Sequence, residues 1–158
     1  MSTDATPTIL LCYDGSEHAT HAISVTAALF PGATVKVLHV WEPVEHIIAR
    51  YAVLAPYLGG ELIPAADAGA EEQSDSLADE GAKLAKQAGL IATAHSAKLS
   101  TTVWEAVVAA STSLGAQLIV TGTRSLSGVH ELVVGTLSHS LLQHSELPLL
   151  AIPAPLPD

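Results

Sequence analysis

The chain has 158 residues, 49% of them apolar, with sixteen acidic side chains against six basic ones and a formal net charge of −10. That is the length of one domain with a sizeable core, and its charge argues against nucleic acid or an anionic membrane as partner. The single cysteine, Cys12, excludes a disulfide framework, and "MSTDATPT" lacks both regions of a signal peptide, so cytoplasmic residence is expected.

The first predicted element is a buried strand, "TILLCY" (Thr8 to Tyr13), ended by the turn signal "DGS". Ser16 is placed to cap a helix in which Ala19, Ile23, Ala27 and Phe30 recur near helical spacing, and "PG" at 31–32 stops it. "TVKVLHVW" (Thr34 to Trp41), rich in β-branched residues, is a second strand. Residues 42 to 66 show no clear period and are read as an irregular insert. Their apolar part, "HIIARYAVLAPYLGGELIPAA", contains Arg50, Glu61, two prolines and Gly59–Gly60, which oppose a membrane-spanning helix. This segment is expected to pack over a ligand cleft or a neighbouring subunit.

The spacing next predicts a long helix from Asp67 to Leu90, acidic first and carrying Lys83 and Lys86 late, in keeping with the helix dipole. "IATAHSAKLS" is a weaker third strand, "TVWEAVVAASTSLG" a helix, "AQLIVTGT" a fourth strand, "HELVVGTLSHSLLQHS" holds a helix starting near Gly135, and "LPLLAIP" is a fifth strand. Strands alternating with helices imply a single doubly wound α/β domain: a five-stranded parallel sheet with helices on both faces. Ligands in such sheets sit beyond the strand carboxyl ends, where Asp14, Trp41 and the Gly122 loop fall.

The stretch "VTGTRSLSGVHELVVGT" (Val120 to Thr136) places two Gly-Thr pairs around a loop between the fourth strand and the last helix. Small residues let main-chain amides approach an anion, and a helix N-terminus adds free N–H groups and its dipole, so the pairs suit a phosphate chain. The same glycines equally suit a tight turn and close helix–sheet packing. With basic residues scarce, a phosphate would be held by amides, hydroxyls or a metal ion. Arg124, the basic side chain within the stretch, is either a phosphate clamp or a solvated or intersubunit residue. It is not a Walker P-loop, having no Gly-Lys-Thr. His18 and His21 lie three apart on a helix and His139 and His144 flank the last one, but no Cys partners them and no metal-binding spacing exists. Ser16, Ser138 and Ser140 lack a Gly-x-Ser-x-Gly elbow, which argues against a small α/β hydrolase, the rival from a different class.

Taken together, "YDGSEHA" after the first strand, "VLHVWEP" at the second and the block "GAQLIVTGTRSLSGVHELVVGTLSHSLLQHSELPLLAIP" resemble the universal stress protein family, from about Thr8 to Pro153. The family's nucleotide motif is Gly, two residues, Gly, nine residues, then Gly-Ser or Gly-Thr. It maps onto Gly122, Ser125 (a departure from the family's Gly) and Gly135–Thr136. The resemblance further implies Asp14 near adenine and ribose, main-chain contacts from Val40 to the base, and a Ser138 hydroxyl beside the phosphates. It implies an adenine-nucleotide-responsive binding module taking ATP, with Mg²⁺ as its counter-ion, or else cyclic AMP, or an ATP-free dimer. At most slow ATP hydrolysis is implied, with no general base identifiable. A homodimer through the apolar C-terminal strand is also implied.

Overall fold

The computed structural model describes residues 6–50, 62–123 and 136–155. Its elements in chain order are β1 (Ile9–Cys12), α1 (Glu17–Leu29), β2 (Thr34–Trp41), α2 (Val44–Arg50), α3 (Leu62–Gln87), β3 (Ile91–Lys98), α4 (Val103–Ser113), β4 (Leu118–Gly122), α5 (Thr136–His144) and β5 (Leu149–Ile152). The strands form one parallel sheet in the order β3-β2-β1-β4-β5. This is the doubly wound arrangement that the alternation of elements predicts.

The central strand explains the order. Ile9, Leu10 and Leu11 are all fully buried, so β1 needs cover on both faces and a neighbour on each side. Full burial of each such side chain contributes about 1.5–3 kcal/mol relative to exposure. Ile9 and Leu11 belong to one apolar cluster with Ala22 and Ile23 of α1 and Ala82 and Ala85 of α3. Leu10 points the other way, into a cluster with Val107 of α4 and Leu141 of α5. Parallel crossovers are right-handed, so helices that lead outward to β2 and β3 lie on one face and those leading to β4 and β5 lie on the other.

Local signals start the helices. Ser16 accepts a hydrogen bond from the Ala19 N–H at 3.2 Å and caps α1. Thr102 and Glu105 form a reciprocal capping box at α4, each side chain accepting from the other residue's backbone N–H.

The insert departs from the sequence reading. Residues 42 to 66 were expected to be irregular, yet α2 occupies Val44–Arg50 and α3 begins at Leu62. Residues 51–61 lie outside the described residues, so the expected packing of that stretch over the cleft or a neighbouring subunit lies outside them too. Two physical causes account for the difference. Pro64 falls in the first turn of α3, where a missing N–H removes no intrahelical bond. And the first N–H of α2, at Val44, donates to the Asp67 carboxylate on α3 at 2.8 Å, a cap supplied from 23 residues away. Among the described residues no helix is long and apolar enough to cross a membrane.

The helix α3 sits tightly on the sheet. A Cβ at Gly81 would lie 2.8 Å from Tyr13 and Val37 side-chain atoms, and Tyr13 is itself fixed by its hydroxyl donating to Glu80 at 2.7 Å. Gly81→Ala is therefore expected to lower stability by about 1–2 kcal/mol, because overpacking outweighs the roughly 1 kcal/mol gain in helix propensity. A lower urea midpoint at unchanged m-value will show it; an equal or higher midpoint contradicts the close fit.

Candidate functional site

A cleft of about 870 Å³ opens at the carboxyl ends of β1, β2 and β4. It lies where the sheet's order turns around β1, with α1 leaving to one face and α5 to the other. Its walls come from Cys12 to Ser16, from Leu38 to Val40, from Thr121 and Gly122, and from the first turn of α5, with Val103 and Val107 of α4 closing the side.

At the end of β1, the exposed Asp14 accepts from the Ser16 N–H at 3.0 Å, and Gly15 takes φ +77°, a left-handed value that favours glycine. The turn therefore fixes Asp14 at the cleft rim and delivers Ser16 as the α1 cap. Val40 is half-buried on the cleft wall. Strand β1 stops at Cys12, level with Leu38, and the last bond of that ladder runs from the Tyr13 N–H to the Leu38 carbonyl at 2.9 Å. In a parallel strand alternate residues present both main-chain groups to the same side. Val40, two past Leu38, therefore turns its N–H and carbonyl toward the space beyond β1, which is the cleft.

Gly122 lies at the end of β4, and a Cβ there would come within 2.7 Å of the His18 carbonyl oxygen and 2.9 Å of its carbon. Close helix–sheet packing alone thus demands glycine at this position. Thr136 is exposed on the cleft wall at the start of α5. Ser138 is only 2% exposed, and its hydroxyl is 2.9 Å from the buried Thr121 hydroxyl. The bond pins α5 to β4 and takes up one of the hydrogen-bonding positions of the Ser138 hydroxyl. Arg124, Ser125 and Gly135 lie outside the described residues.

Burial first, and the Asp14 charge second, push the Cys12 thiol up to about 12. Tyr13 is raised by burial and by its bond to Glu80. Burial lowers His39 while Asp14 opposes that shift. The His39 ring meets the Ser74 hydroxyl at 2.7 Å, a pair that sequence reading missed because it needs the register of α3 on β2. Ser74 is 1% exposed, so its hydroxyl serves to pack α3 on β2, while His39 remains on the cleft wall. Among the described residues no three His, Cys, Asp or Glu side chains gather to hold a metal ion.

A thiol held near 12 is about one part in ten thousand thiolate at pH 8. Alkylation of Cys12 by iodoacetamide should therefore be at least about a hundredfold slower in the native protein than in urea. Equal rates would mean that the thiol is not sheltered as described.

The universal stress protein family model matches residues 6–153. A Thermus aquaticus protein, "Universal stress protein in QAH/OAS sulfhydrylase 3'region", is 29% identical over 147 residues, covering 92% of this chain and 97% of its own length. A solved universal stress protein from Burkholderia pseudomallei has a TM-score of 0.68 at 21% identity, over 97% of this chain and 100% of that one. One from Archaeoglobus fulgidus, in complex with dAMP, has a TM-score of 0.58 at 17% identity, over 93% and 97% of the two chains. An Arabidopsis thaliana family protein with AMP bound (TM-score 0.62, 13% identity, 94% and 92% covered) and a universal stress protein in complex with cAMP (0.55, 18%, 94% and 98%) share the fold. With the family model spanning nearly the whole length and the fold agreeing, the chain belongs to the universal stress protein family.

Proposed function

We propose that the cleft binds an adenine nucleotide, ATP with Mg²⁺, and that the protein works as a nucleotide-responsive binding module. The observation that carries the reading is the convergence, at one end of the sheet, of a carboxylate at Asp14, outward main-chain groups at Val40 and the N-terminal turn of α5. A carboxylate accepts from ribose or base donors, free main-chain groups suit an adenine edge, and a helix N-terminus suits phosphate. The family members in complex with dAMP, AMP and cAMP support the adenine nucleotide class. The net charge of −10 disfavours a bare polyanion, which is why Mg²⁺ accompanies the triphosphate. In this reading Gly122, Arg124, Ser125, Gly135 and Thr136 approach the phosphates. The Ser138 hydroxyl lies beside the phosphates and also holds α5 against β4.

Calorimetry with Mg-ATP, ADP, AMP and cyclic AMP tests the reading. Asp14→Ala should weaken binding by about 1–3 kcal/mol, the cost of leaving a ligand donor unpaired. Gly135→Val should remove binding and leave the far-ultraviolet spectrum unchanged, and Ser125→Gly should bind as tightly or more tightly. Absence of heat with every nucleotide at millimolar ligand would favour an ATP-free member, and tighter binding of cyclic AMP would assign the clamp to a single phosphate.

We further propose a homodimer through β5. That strand is an edge of the sheet, and Leu149, Leu150 and Ala151 are only half-buried in the single chain. Edges of this kind are normally paired or covered. Light scattering at micromolar concentration should give twice the chain mass; a clean monomer rejects the dimer.

A further inference from the structure

We propose that His18 and His139 are further side-chain donors to the nucleotide's phosphates, and that they make the cleft select for phosphorylated ligands over the bare nucleoside. The proposal rests on the adenine-nucleotide reading of the same cleft.

The chain has eight histidines and only six Lys and Arg residues. Three of the histidines are engaged within the fold. His39 bonds Ser74, His95 meets the Thr93 hydroxyl at 2.9 Å, and His144 stacks on Trp104 with ring centroids 4.4 Å apart. His18 and His139 differ from these. Both line the cleft, one from the first turn of α1 and the other from the first turn of α5. Among the described residues neither ring has a hydrogen-bond partner or a place in a metal-binding cluster.

The elements that carry them meet at one wall of the cleft. The end of β4 at Gly122 touches the His18 main chain so closely that a Cβ there would lie 2.7 Å from the His18 oxygen. From β4 the chain goes on to α5, whose first turn carries Thr136 and His139 on the same wall. An anion in the cleft beside Gly122 would lie between the first turns of α1 and α5, the elements that carry the two imidazoles. Both helix N-termini add their dipoles there.

Charge gives such donors a role. Among the described residues lining the cleft none is Lys or Arg, while Asp14 adds a negative charge at the rim. For a phosphate entering this site, ring N–H donors would add to the main chain and to the Arg124 and Mg²⁺ of the adenine-nucleotide reading. An imidazole supplies one ring N–H when neutral and two when protonated, and such bonds strengthen when the acceptor is an anionic oxygen.

The test compares the full-length wild type with His18→Ala, His139→Ala, the double variant, and the corresponding glutamine variants, which keep an N–H donor. Affinities for Mg-ATP, AMP and adenosine are measured by calorimetry, with thermal melting to confirm that each variant folds. Each alanine change is expected to weaken ATP about tenfold and the pair by up to about a hundredfold, with adenosine changed by less than about twofold and glutamine recovering part of the loss. Wild-type binding of ATP that survives in the double variant, or equal weakening of ATP and adenosine, overturns the role of the histidines and leaves the nucleotide reading standing. A wild type that binds none of the three ligands overturns both.

Discussion

The structure depends on β1 being buried on both faces. Ile9, Leu10 and Leu11 are fully buried, which the centre of the sheet provides, and the chain winds outward from β1 in both directions. Right-handed crossovers then place α1 and α3 on one face and α4 and α5 on the other. Where the two windings part, no helix among the described residues covers the strand ends, and the cleft lies there. The binding site is thus a consequence of the same apolar run that makes the core.

Tight packing sharpens the site. Gly81 lets α3 press on Tyr13 and Val37, and Gly122 lets the first turn of α1 press on the end of β4. At Gly122 the packing role and the ligand role coincide: the absence of a side chain brings α1 against the strand and leaves main chain bare at the cleft wall. A substitution there would change stability and binding together, so it is a poor probe of either alone. The bond between Thr121 and Ser138 does the corresponding work for α5, fixing the helix whose first turn borders the cleft.

The upper part of α3 is fastened by polar contacts. Asp67 caps α2 and lies 3.8 Å from Lys98, Ser74 holds His39, the Ser96 hydroxyl donates to Asp75, and Glu80 accepts from Tyr13. Asp67, Asp75 and Glu80, acidic residues of this helix, are therefore engaged in seating it. One of these contacts bears on a residue of the cleft: burial first, and the bond to Glu80 second, raise Tyr13.

The sequence by itself determined the strands, because "TILLCY", "TVKVLHVW" and "AQLIVTGT" are apolar runs bounded by turn residues, a signal that needs no neighbour to interpret. It also determined the caps at Ser16, the breaks at Pro31–Gly32 and the family resemblance that named Asp14, Val40, Gly122 and Thr136, all of which border the cleft. The helix of Val44–Arg50 was not legible, because its first N–H is capped by Asp67 across the fold. The extra turn of α3 before Asp67 was hidden by Pro64, which reads as a breaker and is harmless in a first turn. Only the tertiary structure decided that Ser138 faces Thr121, that His39 meets Ser74, and that His18 and His139 flank one space. Local propensity and periodicity act within a few residues along the chain. These contacts join residues whose separation in sequence is closed only by sheet order and helix register, and no short-range pattern carries that information.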